Sequence, residues 1–546
     1  MARSEPDPDP LDVDGPEDPQ ALATEGRANH AKTRRFKKTK RALIILAVLV
    51  VVLAVSGAGY GWYLNHKITR IAVKGLSKAP VKGADLGTEN ILLVGSTSRC
   101  ALTVQATAYG LCSQGVDGVN SDVVMVLHLN PNIPSVSILS IPRDLFIPNA
   151  RVEGAYKIDA ALEEGPSQLV AAVEEDFGIP IQHYVELNFD SFGNIVNALG
   201  GIYMYFPEPV FDSYSDLDVT TTGCRYLNGW EALQVVRARH LQYQPPGDTD
   251  PNTSDWPQEA QSDLARIQRD HEFLRVLATA VSKRGLGNPI TDEQLVAGVV
   301  GQLTVDSGFD LSDMVNLVLT YHGVDIQNAP QLTLPVQVDQ FGDYYYNGSD
   351  YGDIEFPVQP EDKQVVDQFL GLSPTADTMS GGPLPAPSSV TVSVLDGSDV
   401  YNQAGLTALG LGQLGFHIVG TGVTQPVGQQ AETLVTYDQL TPTDEAAAQA
   451  VADSMSGAVI LAYGPTTDGA QVTVTTGTDY SLNPPATPAT TTTTLAAGSS
   501  TTTTTPPTTT TTAPSSTGQF SVPTSSVEPL SPWDPRACTA SGGEGQ

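Results

Sequence analysis

Positive charge is what this chain has least of. Its 546 residues carry 28 Lys and Arg against 61 Asp and Glu, a formal net charge of −33. Beyond Arg284 only Lys363 and Arg536 remain. The chain's basic run at residues 32–41 stands directly against an apolar stretch and so reads as topogenic rather than as a nucleic-acid patch. Cysteine is also scarce: Cys100, Cys112, Cys224 and Cys538 include no Cys-x-x-Cys and no Cys/His grouping, so no zinc motif is present. No Gly-x-Ser-x-Gly elbow or Ser-His-Asp arrangement is evident, which leaves a covalent hydrolase without support. His183, His240 and His271 are scattered and read as structural.

The long stretch that is both uncharged and apolar is residues 42–63, dominated by Ala, Leu, Ile, Val and Gly. About 20 apolar residues suffice for one transmembrane helix. A cleaved signal peptide would have a shorter apolar core and would not follow 41 hydrophilic residues. Lys32, Arg34, Arg35, Lys37, Lys38, Lys40 and Arg41 precede the stretch and place the N-terminus in the cytoplasm. Everything after residue 63 is then extracytoplasmic, where four cysteines fit an oxidising compartment. Cys100 and Cys112 bracket a short loop and form the natural first pair. Cys224 with Cys538 is the leftover pairing.

Residues 42–546 hold 19 Lys/Arg against 53 Asp/Glu, and seven of the 19 fall in a few short segments. These segments carry Arg99, Arg143, Lys157, Arg237, Arg239, Arg266 and Arg269, with Asp122 in Asn120-Ser-Asp122. A cation-poor chain that gathers arginines is building an anion site, because a guanidinium grips phosphate oxygens two at a time. Bland readings exist for each. Arg143-Asp144 after Pro142 has a turn salt bridge as its lesser reading, whereas Arg269 and Arg275 read first as the solvated face of a helix.

The coarse pattern is α/β. Ile91–Val94, Val123–Leu127 and Val136–Ile141 read as strands, Ser167–Phe177 as a helix, and Tyr184–Leu187 as extended. Asn228 with Glu231 marks a helix start. Residues two apart share a face on a strand but not on a helix. If Arg237 and Arg239 serve one site, the helix must therefore end near Gln234 and Val235–His240 must be extended. Ser262–Lys283 has a helical apolar stripe. Residues 376–389 read as a linker, residues 390–477 as a second, smaller α/β domain with a closing strand at Ala458–Leu461, and residues 478–546 as a Thr/Pro/Ser-rich tail.

The order and spacing of Asn90-Ile-Leu-Leu-Val-Gly-Ser-Thr-Ser-Arg99, Asn120-Ser-Asp122, Ser140-Ile-Pro-Arg143-Asp144, Tyr156-Lys157-Ile-Asp159, Arg237-Ala-Arg239-His240 and Asp263-Leu-Ala-Arg266-Ile-Gln-Arg269-Asp270 resemble the LytR-CpsA-Psr family of bacterial cell-wall ligases. The resemblance spans residues 64–376. Val-Leu-Asp396-Gly397-Ser and Leu414-Gly-Phe416 resemble the LytR C-terminal domain. The resemblance implies an α/β/α layered catalytic domain behind the membrane helix. It also implies transfer of a glycopolymer from a polyprenyl-diphosphate carrier to peptidoglycan, with a MurNAc hydroxyl as acceptor.

By the same resemblance Arg99, Arg143, Arg237, Arg239 and Arg266 grip phosphate, with Lys157, Arg269 and Asp270 as further substrate contacts, and Asp122 holds Mg²⁺ or Mn²⁺. Two departures stand out. Thr97 occupies the place of the family's second metal-binding Asp; its hydroxyl can ligate Mg²⁺ but adds no charge. Asp270 stands where the family has Gln, and either pairs with Arg266 or supplies the missing carboxylate. A non-catalytic polyprenyl-diphosphate-binding wall scaffold and a polyprenyl-diphosphate hydrolase remain as alternatives. The prenyl chain would need an apolar interior, for which Val170, Ala171, Val173, Phe177, Phe189, Phe192, Ile195 and Val196 are candidates; the same residues suit an ordinary core.

Overall fold

The computed structural model describes residues 59–77, 87–100, 111–115, 118–250, 252–259, 262–284, 298–321, 323–324, 329–338, 343–398, 400–424, 430–483 and 530–538. The expected cytoplasmic segment, most of the apolar segment 42–63 and most of the Thr/Pro/Ser tail lie outside these residues. Among the described residues no helix is long and apolar enough to cross a membrane.

The first domain is built on a seven-stranded mixed sheet. Its strands in chain order are β1 (Thr69–Ile71), β2 (Glu89–Ser96), β3 (Ser121–Asn130), β4 (Ser135–Ile141), β5 (His183–Asn188), β6 (Thr304–Asp306) and β7 (Gln331–Thr333). They lie in the order β1-β6-β5-β2-β3-β4-β7. β2 runs antiparallel to β3 and parallel to β5, so β2 and β5 end together beside the start of β3. Side chains alternate between faces, as the twofold period of a strand requires. Leu92, Val94, Val126 and Leu139 pack on one side with the helix Pro166–Phe177 and the helix Glu361–Leu370. Ile91, Leu129, Val136 and Val185 pack on the other with Leu311–Tyr321. Helices on both faces of the sheet give the layered α/β architecture.

Three more helices, Phe189–Ala198, Gly229–Arg237 and Ser262–Arg284, are joined by a third cluster around Phe206, Val235 and Phe273. The first two touch through glycines: a Cβ on Gly229 would collide with the carbonyl of Gly193. Backbones this close leave no room for a methyl group. Gly229→Ala is therefore expected to destabilise the chain by about 1–3 kcal/mol, read as a lower midpoint in thermal or urea unfolding. An unchanged midpoint would mean that the helices move apart at no cost.

The second domain has a five-stranded sheet in the order His417–Val423, Thr391–Asp396, Val472–Thr476, Thr433–Tyr437, Val459–Tyr463. Gln403–Gln413 and Pro442–Ala452 supply its helices. Val459–Tyr463 does not close the domain as expected: Val472–Thr476 follows and takes the middle of the sheet. The expected linker is ordered. Asp377 and Thr378 are buried, and the Thr378 N–H donates to Gln449 Oε1 at 3.1 Å.

The two domains meet over the helix Pro166–Phe177, where the Tyr437 hydroxyl donates to the Glu175 carbonyl at 3.1 Å. Asp176, Asp362, Glu432 and Glu445 are buried here, and burial raises each carboxyl well above the ordinary range. Burial also pushes Glu174, Glu175 and Asp453 up to about 7. Lys363 is the cation nearby, 2.7 Å from Asp367 and 3.9 Å from Asp453. The folded state thus binds protons more tightly than the unfolded chain. Stability from these groups is fully present below the ordinary carboxylate pKa and is lost as pH rises through about 7. Thermal midpoints should fall between pH 5.5 and pH 8.5; a rise over that span would contradict the assignment.

Candidate functional site

The end of β2, the start of β3 and the end of β5 form one wall of an open cavity of about 170 Å³. Leu93, Val94, Val123, Met125, Val185 and Leu187 line it from the sheet. Phe189, Phe192, Leu233, Val236, Phe273 and Leu274 line it from the three helices. Of the eight residues named from sequence for an apolar interior, only Phe189 and Phe192 contribute. Val170, Val173 and Phe177 fill the core on the opposite face of the sheet. Asp122, Arg237, Arg266 and Asp270 are the charged residues of the lining.

Charge is organised around Asp122. Arg143 Nη1 donates to its carboxylate, and the Arg266 guanidinium donates to its backbone carbonyl at 2.8 Å. Burial would raise the Asp122 carboxyl, but Arg143, Arg266, Arg237 and Arg239 together hold it below its usual value. Arg143 also lies 3.5 Å from Asp144 and 3.7 Å from Asp159. Asp144 accepts from Lys157 at 3.2 Å and from Arg239 at 2.9 Å. Despite burial its carboxyl stays low, held by Arg143, Arg239 and Lys157. The turn salt bridge foreseen for Arg143-Asp144 is thus part of a larger network.

The helix beginning at Asn228 starts as expected. Asn228 Oδ1 accepts from the Glu231 N–H at 3.1 Å, and Glu231 Oε2 accepts from the Asn228 N–H at 2.8 Å, a reciprocal cap. It does not stop near Gln234. The helix runs to Arg237, and only Ala238 (φ −63°, ψ 118°) is extended. Arg237 and Arg239 therefore do not share a strand face. The turn at Ala238 brings them to one site from two directions. The Arg237 guanidinium lies 4.7 Å from the centre of the Phe189 ring at the cavity wall, a cation–π contact. Arg239 reaches Asp144 and, at 3.3 Å, Asp263.

Asp263 and Glu355 received no role in the sequence reading. Asp263 lies 3.0 Å from Arg266, one turn along the same helix. Glu355 donates its backbone N–H to the Asp144 carbonyl at 3.0 Å. Burial, reinforced by the charges of Asp263 and Asp144, pushes its carboxyl up to about 8. Glu355 thus holds its proton more tightly than an ordinary glutamate, near Arg239 and Arg266. No local motif marks it, since it enters from a strand more than 200 positions beyond Asp144.

Other residues fall elsewhere. Arg269 is neither solvated nor in the cavity lining; it is fully buried beside Glu259 and Asp534. Arg99 stands in the loop after β2, outside the cavity lining. That loop is closed by a Cys100–Cys112 disulfide, and a second disulfide joins Cys224 to Cys538. Thr97 is buried, its hydroxyl accepting from the Asn120 N–H at 2.9 Å, and it does not line the cavity. His271 contacts the Ser140 hydroxyl at 2.7 Å, and burial lowers its pKa to about 4.

Asp270 lies within ion-pair reach of Arg266 and also lines the cavity. Its carboxylate is 4.0 Å from Arg266 Nε, too long for a hydrogen bond, and both its oxygens are buried without a hydrogen-bond partner. Burial pushes it up to about 7, against the pull of Arg266 and Arg269. Mg²⁺ takes one or two carboxylates and completes its shell with water and substrate phosphate. Asp122 from the sheet and Asp270 from the helix Ser262–Arg284 both line the cavity, which Thr97 does not, and so fit that donor set better than Asp122 and Thr97. Among the described residues no group of three or more His, Cys, Asp or Glu side chains is arranged to hold a metal by itself.

Comparison with known proteins gives a family match over the first domain. Residues 64–355 match the model of the LytR_cpsA_psr family, and residues 389–480 match the LytR cell envelope-related transcriptional attenuator model. The probable cell wall biosynthesis protein LcpB of Corynebacterium glutamicum is 34% identical over 258 residues, 47% of this chain and 56% of its own length. The cell wall biosynthesis protein LcpA of the same organism is 27% identical over 511 residues, 85% of this chain and 89% of its own. The polyisoprenyl-teichoic acid–peptidoglycan teichoic acid transferase TagU of Halalkalibacterium halodurans is 25% identical over 309 residues, 56% of this chain and 92% of its own. A solved LytR-Csp2A-Psr enzyme from Actinomyces oris aligns with 56% of this chain and 97% of its own at 26% identity and a TM-score of 0.42.

Proposed function

The chain belongs to the LytR-CpsA-Psr family, and from that premise we propose that it is a phosphotransferase of cell-wall assembly. It moves a glycopolymer from a polyprenyl-diphosphate carrier to a peptidoglycan hydroxyl. The observation that carries the reading is an apolar cavity whose charged lining is Asp122, Arg237, Arg266 and Asp270. A prenyl chain suits its apolar walls, and a diphosphate suits its arginines. The named activities of the teichoic acid transferases among its relatives support the same class. We place the catalytic domain outside the cell, anchored by residues 42–63.

Phosphoryl transfer asks the protein mainly for positioning and charge. Arg143, Arg239 and Arg266 are each held by a carboxylate, so their guanidiniums are fixed before a diphosphate arrives. The diphosphate exchanges some of those ion pairs for its own oxygens and loses little side-chain entropy in doing so. Lys157, held on Asp144, adds a cation that shifts with that exchange. A magnesium ion on Asp122 and Asp270 would neutralise charge on the leaving phosphate.

The test uses the purified full chain with Mg²⁺ and a polyprenyl-diphosphate-linked glycan. Polyprenyl phosphate should be released only when peptidoglycan is supplied. Release into water without an acceptor would mark a hydrolase instead. Tight binding with no release across several carriers and metals would mark a wall scaffold.

A further inference from the structure

The segment Ser531–Cys538 lies beyond both family matches, yet it packs on the catalytic domain. Arg536 and Ala537 pair antiparallel with Tyr205 and Met204. The Trp533 ring stacks on Tyr243 with centres 3.7 Å apart and planes 8° from parallel. The Ala537 N–H donates to Glu272 at 2.8 Å, and Cys538 is bonded to Cys224. These contacts deliver the fully buried Asp534 to Arg269, whose Nη1 donates to it at 3.0 Å.

Arg269 is itself wholly buried and carries a structural burden. Glu259 accepts from it at 2.5 Å and 2.9 Å, and its Nη2 also donates to the carbonyl of Ala238. Ala238 is the residue at which the chain turns between Arg237 and Arg239. From the other side, Asp212 accepts from the Arg239 and His240 N–H groups at 2.8 Å and 2.9 Å. The turn is thus clamped on its carbonyl by Arg269 and on its amides by Asp212. A guanidinium taken wholly out of water keeps its place only while its counter-charges stay with it.

We propose that Asp534 is a positioning residue for the arginine pair, acting through Arg269 and the Ala238 carbonyl, and that the C-terminal segment is a working part of the active site. The inference rests on the transferase reading for what the arginines do. Its geometry stands without that reading.

The test is a double-mutant cycle on the full-length chain, with Asp534→Asn made alone and with Arg239→Ala. Turnover, binding of geranylgeranyl diphosphate and thermal unfolding are measured for each. Asp534→Asn should lower turnover roughly tenfold, with the acceptor KM unchanged, and weaken prenyl-diphosphate binding. In the Arg239→Ala background it should cost clearly less than it does alone, because one of the two residues it positions is gone. A purely structural role would give the same factor in both backgrounds, and that result overturns the proposal. So would a folded Asp534→Asn protein with unchanged turnover and binding. Should Asp534→Asn not fold, Cys538→Ser keeps the Asp534 side chain while loosening its delivery, and the same non-additivity with Arg239→Ala is required. A wild-type chain that binds no prenyl diphosphate sinks the transferase reading and this inference together. A wild-type chain that binds and transfers while the cycle is additive sinks this inference alone.

Discussion

Arg239→Ala should lower turnover about ten- to a hundredfold and leave folding nearly intact. The rate follows from charge-assisted hydrogen bonds to the diphosphate, worth ~1.5–3 kcal/mol each, with ~1.4 kcal/mol for each factor of ten. The intact fold follows from redundancy in the network. Asp144 keeps Arg143 and Lys157 when Arg239 goes, and Asp263 keeps Arg266. Neither carboxylate is stranded. Arg237→Ala should cost a similar factor in rate, with a larger loss of prenyl-diphosphate affinity, because Arg237 also packs on Phe189 in the cavity wall. Lysine should rescue either position poorly, since one ammonium cannot bridge two acceptors as the guanidinium fork does. Full activity in Arg239→Ala, with a thermal midpoint several degrees lower, would make the pair a structural brace.

Much of the scaffold behind these residues is legible in the sequence, because it is encoded locally. Apolar runs at Ile91–Val94, Val123–Leu127 and Val136–Ile141 become β2, β3 and β4, with boundaries extended by a few residues. The Asn228/Glu231 signal is a real reciprocal cap. What stays hidden depends on partners distant in the chain. Arg269 looks like a solvated helix residue because Asp534, 265 positions away, is invisible to any local pattern. The end of the Gly229–Arg237 helix is misplaced because spacing suggests a strand, whereas the turn is fixed by Asp212 and Arg269. The cavity lining is misassigned for a related reason. Helical periodicity shows that Pro166–Phe177 has an apolar face, but not that its face seals the tight side of the sheet while Phe189–Ala198 borders the hollow side.

Asp122→Asn should have the largest effect of any single change, and it should split binding from turnover. The carboxylate is half-buried among Arg143, Arg237, Arg239 and Arg266, and their combined charge holds its pKa below the usual value. Removing it leaves those arginines without their shared counter-charge, so the free variant should unfold at a lower temperature. A diphosphate supplies the missing negative charge. Its affinity in metal-free buffer should therefore hold or rise, and the bound variant should recover much of the lost stability. Turnover should nonetheless fall about a hundred- to a thousandfold, because the carboxylate that would share a metal with Asp270 is gone. The remaining activity should respond little to added Mg²⁺. Asp270→Asn should behave differently: with both oxygens unpartnered in the folded chain, its loss should leave stability unchanged or raised while the Mg²⁺ needed for half-maximal rate increases. If Asp122→Asn weakens prenyl-diphosphate binding as much as it weakens turnover, Asp122 only organises the arginines. If Asp270→Asn leaves the Mg²⁺ requirement untouched, the metal is held without it.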